Sequence, residues 1–231
     1  MSSLKKIFDI FLHDAEKLAL EALTRIASDH SKTKMVFETL KSAQCRKFAF
    51  HNWENVLLCV KFIHEVVACP HMRDKAIVAT LFKDYAFNPF SSTYKLHSAH
   101  LCFDLLFEVL SVNKGLAGEI KHAILKVEPP KERSKKLTDL DKVVIDVSFI
   151  RLASAPGVFW DITKLLLREK GLPENQESFD IRARWFRQNF PMTLSRSPVP
   201  IFLSDFAHPY EDTARANVKG FLLACKTADL E

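Results

Sequence analysis

Residues 76–89 read AIVATLFKDYAFNP. The run opens with Ala76, Ile77, Val78, Ala79, Leu81 and Phe82, interrupted only by Thr80. A helix that is apolar on every face lies inside a fold rather than on its surface. Lys83 and Asp84 then arrive while the chain is still at that depth. An uncompensated buried charge is very costly, so these two side chains are expected to pair, to find other polar groups or to hold a ligand. The stretch predicts a central buried helix from about Arg73 to Phe82 that ends in opposite charges. Phe87 to Ser92 reads as the loop that follows.

Working upstream, residues 50–70 read FHNWENVLLCVKFIHEVVACP. Trp53, Val56, Leu57, Val60, Ile63 and Val67 form one stripe at helical spacing. His51 and Asn52 stand where that helix begins, and Asn52 is a suitable cap. Pro70 is expected to end it. Residues 4–27 read as an amphipathic helix through Ile7, Phe8, Phe11, Ala15, Leu18 and Ala22, with His13-Asp14 as a surface pair. Ser28 to Ser31 breaks it, and a second helix follows through Met35, Val36, Phe37 and Leu40.

Downstream, Leu96, Ala99, Phe103, Leu106 and Leu110 mark one helix face, and Leu116, Ile120, Ala123, Ile124 and Val127 another. Pro129-Pro130 stops the second of these. KERSKK, residues 131–136, reads as a solvated loop. Leu140, Val143, Val144, Val147 and Ile150 predict the next helix, and Pro156 opens one that runs to about Lys170. Helices over 177–190 and 211–227 close the chain. No sustained alternation and no Asn-Gly or Asp-Gly turn signals a hairpin. The expected fold is all-α, one domain of nine or ten helices. Its parts are N-terminal helices over 1–45, a core over 46–155 and C-terminal helices over 156–231.

Composition narrows the function classes. At 231 residues and 48% hydrophobic content the chain can bury a substantial core. Five Gly against nineteen Phe, with no G-x-x-x-x-G-K and no G-x-G-x-x-G, excludes the glycine-rich phosphate loops. The net charge of +5 is mild and spread along the chain, so nucleic acid is not an expected partner. Five dispersed cysteines without a C-x-x-C predict reduced, buried thiols in a cytoplasmic protein. The N-terminal MSSLKKIFDIFLHDAEK carries Asp9 and Asp14 within its apolar part, so neither a signal peptide nor a membrane span is expected.

His51 ahead of one helix, a buried charge pair at the end of the next, and the later LTDLDKVVI together resemble the HD-domain superfamily, in particular its small branch of predicted metal-dependent phosphohydrolases. The resemblance runs from about Phe48 to Lys226. FHNWENV is similar to that branch's YHN-x-x-H segment, LFKDYAFNP to its FHD-x-x-Y-D-P segment, and LTDLDKVVI to its DADL-like one. SRSPVPIF is similar to an arginine-plus-aromatic motif, and EDTARANV to the ending E-x-x-A-R-x-N-hydrophobic.

The resemblance implies a divalent metal centre (Mn, Fe, Mg or Zn) at His51, Lys83, Asp84 and Asp139. It also implies departures: Lys83 stands where the motif has His, Asn55 where it has a second His, and Lys95 near its acidic segment. A protonated lysine offers three donors and no acceptor, so it cannot ligate a metal. The expected arrangement therefore places the Lys83 ammonium between Asp84 and Asp139, with His51 beside them and no cofactor. Such a protein would bind or regulate, with a nucleotide or other phosphorylated small molecule as candidate ligand. One alternative is an active phosphohydrolase holding metal through His51, Asp84, Asp139 and a replacement among His64, His97, His100 and His122. The other is a protein-partner module with a vestigial cleft. Arg168, Arg182, Arg184 and Arg187 are expected in solvent, and Arg196 and Arg215 in internal salt bridges.

Overall fold

The computed structural model describes residues 2–44, 48–130, 136–190 and 199–225, with side chains from Ile10 onward. Residues 131–135 of the expected basic loop, Cys45, Arg196 with its SRSP segment, and the side chains of Ile7 and Phe8 lie outside the described residues. Among those described there are ten α-helices and no strand, so the fold is all-α. The chain divides into two compact units, Met1–Leu125 and Lys126–Glu231.

The first unit holds α1 (Ser2–Ile26), α2 (Thr33–Gln44), α3 (Trp53–Val66), α4 (Pro70–Phe82), α5 (Tyr94–Asp104) and α6 (Lys114–Leu125). Its centre is α4, which packs against α1, α3, α5 and α6. From Ala76 to Phe82 no residue is more than 1% exposed. Burying Ile77, Val78, Leu81 and Phe82 contributes about 1.5–3 kcal/mol each, which is why an all-apolar sequence forms the hub. The charged start of α4 is tied outward. Asp74 accepts two hydrogen bonds from Arg25 of α1, at 2.8 and 2.9 Å, and Lys75 pairs with Glu119 of α6 at 2.8 Å. Glu16 of α1 accepts from the Trp53 indole and pairs with Lys41, joining α1 to α3 and α2.

Two local expectations are corrected. Pro70 opens α4 instead of merely ending α3, because a first helical position needs no N–H. The face expected on α5 also shifts. Ser98, Ala99, Cys102, Leu106 and Leu110 are buried, whereas Leu96 is 44% exposed. A π-turn over Leu105–Val109 follows, in which Leu110 N–H bonds Leu105 C=O.

The second unit holds α7 (Asp139–Phe149), a 3-10 turn (Ile150–Ala153), α8 (Pro156–Glu169), α9 (Gln176–Asn189) and α10 (Glu211–Ala224). Its core is aromatic, with Phe159, Phe186, Phe190, Phe202 and Phe221 all buried. Thr138 and Asp141 form a capping box that starts α7. Cys59, Cys102 and Cys225 are buried, but Cys69 is exposed, since it caps α4 at the turn after α3. Among the described residues no single helix is long and apolar enough to cross a membrane.

Candidate functional site

Two helix ends build the site in the first unit. Asn52 caps α3, its side chain accepting the Asn55 N–H at 2.9 Å, and this fixes the chain just before the helix, where His51 sits. The His51 ring stacks on Phe87 at 3.7 Å, with the two planes 20° apart. Phe48 and Tyr94 meet the same Phe87 edge-on, at 4.9 and 5.0 Å. The imidazole thus lies in an aromatic setting that the spacing of charged residues did not signal.

The second helix end is that of α4. Lys83 N–H still bonds Ala79 C=O, after which tight turns carry Tyr85 N–H to Phe82 and Phe87 N–H to Asp84. Neighbouring residues do not face each other along a regular helix. Unwinding at this point lets the Lys83 ammonium donate to the Asp84 carboxylate. The Ser98 hydroxyl of α5 accepts the Ala86 N–H at 3.0 Å and pins the turn.

Both charges are largely enclosed, with side chains 9% and 11% exposed. Burial alone would lower the Lys83 pKa, but the Asp84 charge, helped by the nearby Cys59 thiol, outweighs it and the net shift is upward. Burial alone would raise the Asp84 pKa. The Lys83 charge, then His51, outweigh that and hold the carboxyl below its ordinary range, with Lys95 adding a smaller effect. The structure therefore brings His51, Lys83 and Asp84 together.

Asp139 belongs to the second unit, at the start of α7, with its side chain 79% exposed and paired with Lys142 at 2.9 Å. Among the described residues no three His, Cys, Asp or Glu side chains gather as a metal-binding group. His97 and His100 are both exposed on α5, and Nδ1 of His100 lies 3.3 Å from the Lys121 ammonium. His122 is exposed, and His64, half-buried on α3, has its pKa lowered by burial and then by Arg73 and Lys61. The described donors do not fit a divalent centre, since Asp84 already accepts from an ammonium.

The motif-like C-terminal residues have structural work. Glu211 accepts the Ile201 and Phe202 N–H groups at 2.9 Å and pairs with Arg215. Arg215 also donates to Val199 C=O, and Asn217 donates to Leu152 and Ser154 C=O at 2.8 and 2.7 Å. Asp146 of α7, fully buried, accepts the Leu203 and Ser204 N–H groups. Its signal is present in VVIDVSF, a charge inside an apolar run, as at Lys83-Asp84.

No family model, curated protein or solved structure matches the chain.

Proposed function

We propose that this chain is an HD-like helical protein that does not carry out metal-dependent hydrolysis and acts as a binding or regulatory protein in the cytoplasm. The observation that carries the reading is the Lys83–Asp84 pair at the end of the central helix. Hydrolysis of the kind the resemblance implies needs a metal to lower the pKa of bound water and to neutralise phosphoryl charge. Here the carboxylate that would take the metal takes an ammonium instead, and a second cation beside it would be repelled. At ~4 Å and an effective dielectric of ~20, one pair of unit charges interacts by ~4 kcal/mol, and a divalent ion would feel more. Nucleotides and other phosphorylated compounds are the ligand class to test first, because lysine serves such groups as a point charge.

Elemental analysis of the purified protein tests the reading. Less than about a tenth of an equivalent of Mn, Fe, Co, Ni or Zn per chain is expected, because no described donor set repays desolvation of the ion. About one equivalent per chain, lost in Asp84→Ala, would replace this reading with the enzyme. A nucleotide that stabilises the wild type but not Lys83→Ala would identify the ligand class.

A further inference from the structure

The second unit contains a cavity that none of the motif residues enters. The C-terminus of α8 closes in a reversal. Gly171 N–H bonds Arg168 C=O at 2.9 Å, Leu172 N–H bonds Leu167 C=O at 3.0 Å, and Gly171 adopts φ +67°. That turn places Lys170 and Leu172 opposite the Ile181, Arg182 and Trp185 side of α9, around a cavity of about 290 Å³. The volume is at the small end of the ~300–1,000 Å³ usual for small-molecule sites.

The charges around it do not balance. Lys170, Arg182 and Arg184 all line the cavity, and none of the three pairs with a carboxylate among the described residues. Arg182 is the informative one. Its guanidinium lies over the rings of Trp185 and Phe186, 4.2 and 4.6 Å from their centroids, and its Nε is buried with no hydrogen-bond acceptor. A buried donor left without an acceptor is destabilising. Burial brings the Arg182 pKa down to about 10, and burial and then the Arg182 charge lower that of Lys170. Three like charges thus border one partly open volume with no carboxylate paired to them among the described residues. The partial negative charge of the α8 C-terminus, about half a unit, does not offset three full positive ones.

Apart from Gln188, the rest of the wall is apolar, supplied by Leu166, Leu167, Leu172, Ile181 and the Trp185 indole. An inorganic anion would meet the charges but leave these surfaces wet, and a neutral apolar molecule would do the reverse. A guanidinium presents a planar fork of N–H donors, the geometry that meets a carboxylate in bidentate fashion.

We propose that this cavity binds a small amphiphilic organic carboxylate, its head on Arg182 and Lys170 and its apolar body against Leu166, Leu172, Ile181 and Trp185. The site is independent of the Lys83–Asp84 reading and stands or falls separately.

The test uses the full chain with octanoate and 4-phenylbutyrate, followed by calorimetry and by thermal unfolding. Expected are saturable binding of at least one of the two, a raised unfolding midpoint, and affinity at least about tenfold above that of the matching amides. Lys170→Gln and Arg182→Gln are each expected to weaken binding by about tenfold or more, and Ile181→Trp, which fills the cavity, to abolish it. Lys170 is exposed, so Lys170→Gln keeps the test open should Arg182→Gln fail to fold. Absence of binding by both carboxylates, equal binding of the amides, or equal binding of inorganic phosphate would each overturn the proposal.

Discussion

At the residue scale the chemistry centres on a lysine and an aspartate that follow one another and are both nearly sealed from water. Removing one member of such a pair leaves the other charged and unmatched, at a cost of about 3–5 kcal/mol, whereas replacing both by apolar groups is often neutral. Lys83→Met is expected to lose about that much stability in denaturant titration at pH 7, and adding Asp84→Leu to recover most of it. A loss below about 1 kcal/mol for the single variant would mean that Asp84 finds another partner. The pH dependence has a defined sign. Asp84 has a lowered folded pKa, so its contribution is present above about 3.9 and disappears as pH falls through the folded value. Lys83 has a raised one, so its contribution is complete below about 10.4 and disappears as pH rises through the folded value. In Lys83→Met the orphaned carboxyl prefers its neutral form. The deficit against wild type is therefore expected to shrink as pH drops from 7 toward 4. A constant or widening gap would contradict the buried-pair account.

At the scale of elements, two helix ends turn through the left-handed region with different residues. After α8 it is Gly171 at φ +67°, and after the π-turn of α5 it is Ser111 at φ 54°. An L side chain in that conformation costs roughly 1–2 kcal/mol, so Gly171→Ala is expected to destabilise by about 1 kcal/mol. Ser111→Gly is expected to stabilise, by about 0.5–1 kcal/mol once the entropy of glycine is subtracted. Chemical denaturation of the two variants checks both signs together. Asn217 is the other element-level fastener, holding two carbonyls of the 3-10 turn and the residue after it. Asn217→Ala is expected to cost about 2 kcal/mol, since each lost partner leaves a carbonyl unmet at about 1 kcal/mol. Full retention of stability would show that water replaces the amide.

At the scale of the whole molecule, the helical class was readable because apolar spacing reports which face is buried. The stripe of Trp53, Val56, Leu57 and Val60 and the unbroken run at Ala76 did so directly. Along α5 the spacing placed Ala99, Leu106 and Leu110 in the core but misplaced Leu96, and nothing in the pattern announced the π-turn over Leu105–Val109. The Lys83–Asp84 contact was readable in kind, since charge at the end of a buried helix demands an answer. The aromatic setting of His51 was not, because it depends on where a later loop delivers Phe87. The half-buried place of Arg182 was missed although its signal was present, since Trp185 and Phe186 follow it at i+3 and i+4 on α9, the spacing at which helix side chains meet. Because no described donor set fits a metal, excess chelator is expected to leave the thermal midpoint of the purified chain unchanged. A fall of several degrees would point to a structural ion.

Two of the charge pairs at the central helix also differ in ancestry along the chain. Arg25 and Asp74 meet across 49 residues and are strangers in the denatured ensemble, so their attraction exists only once the fold does. Lys83 and Asp84 are bonded neighbours and stay within reach of each other even when the helix melts. The end of α4 can therefore fray and re-form without ever dragging a solitary charge through the apolar interior.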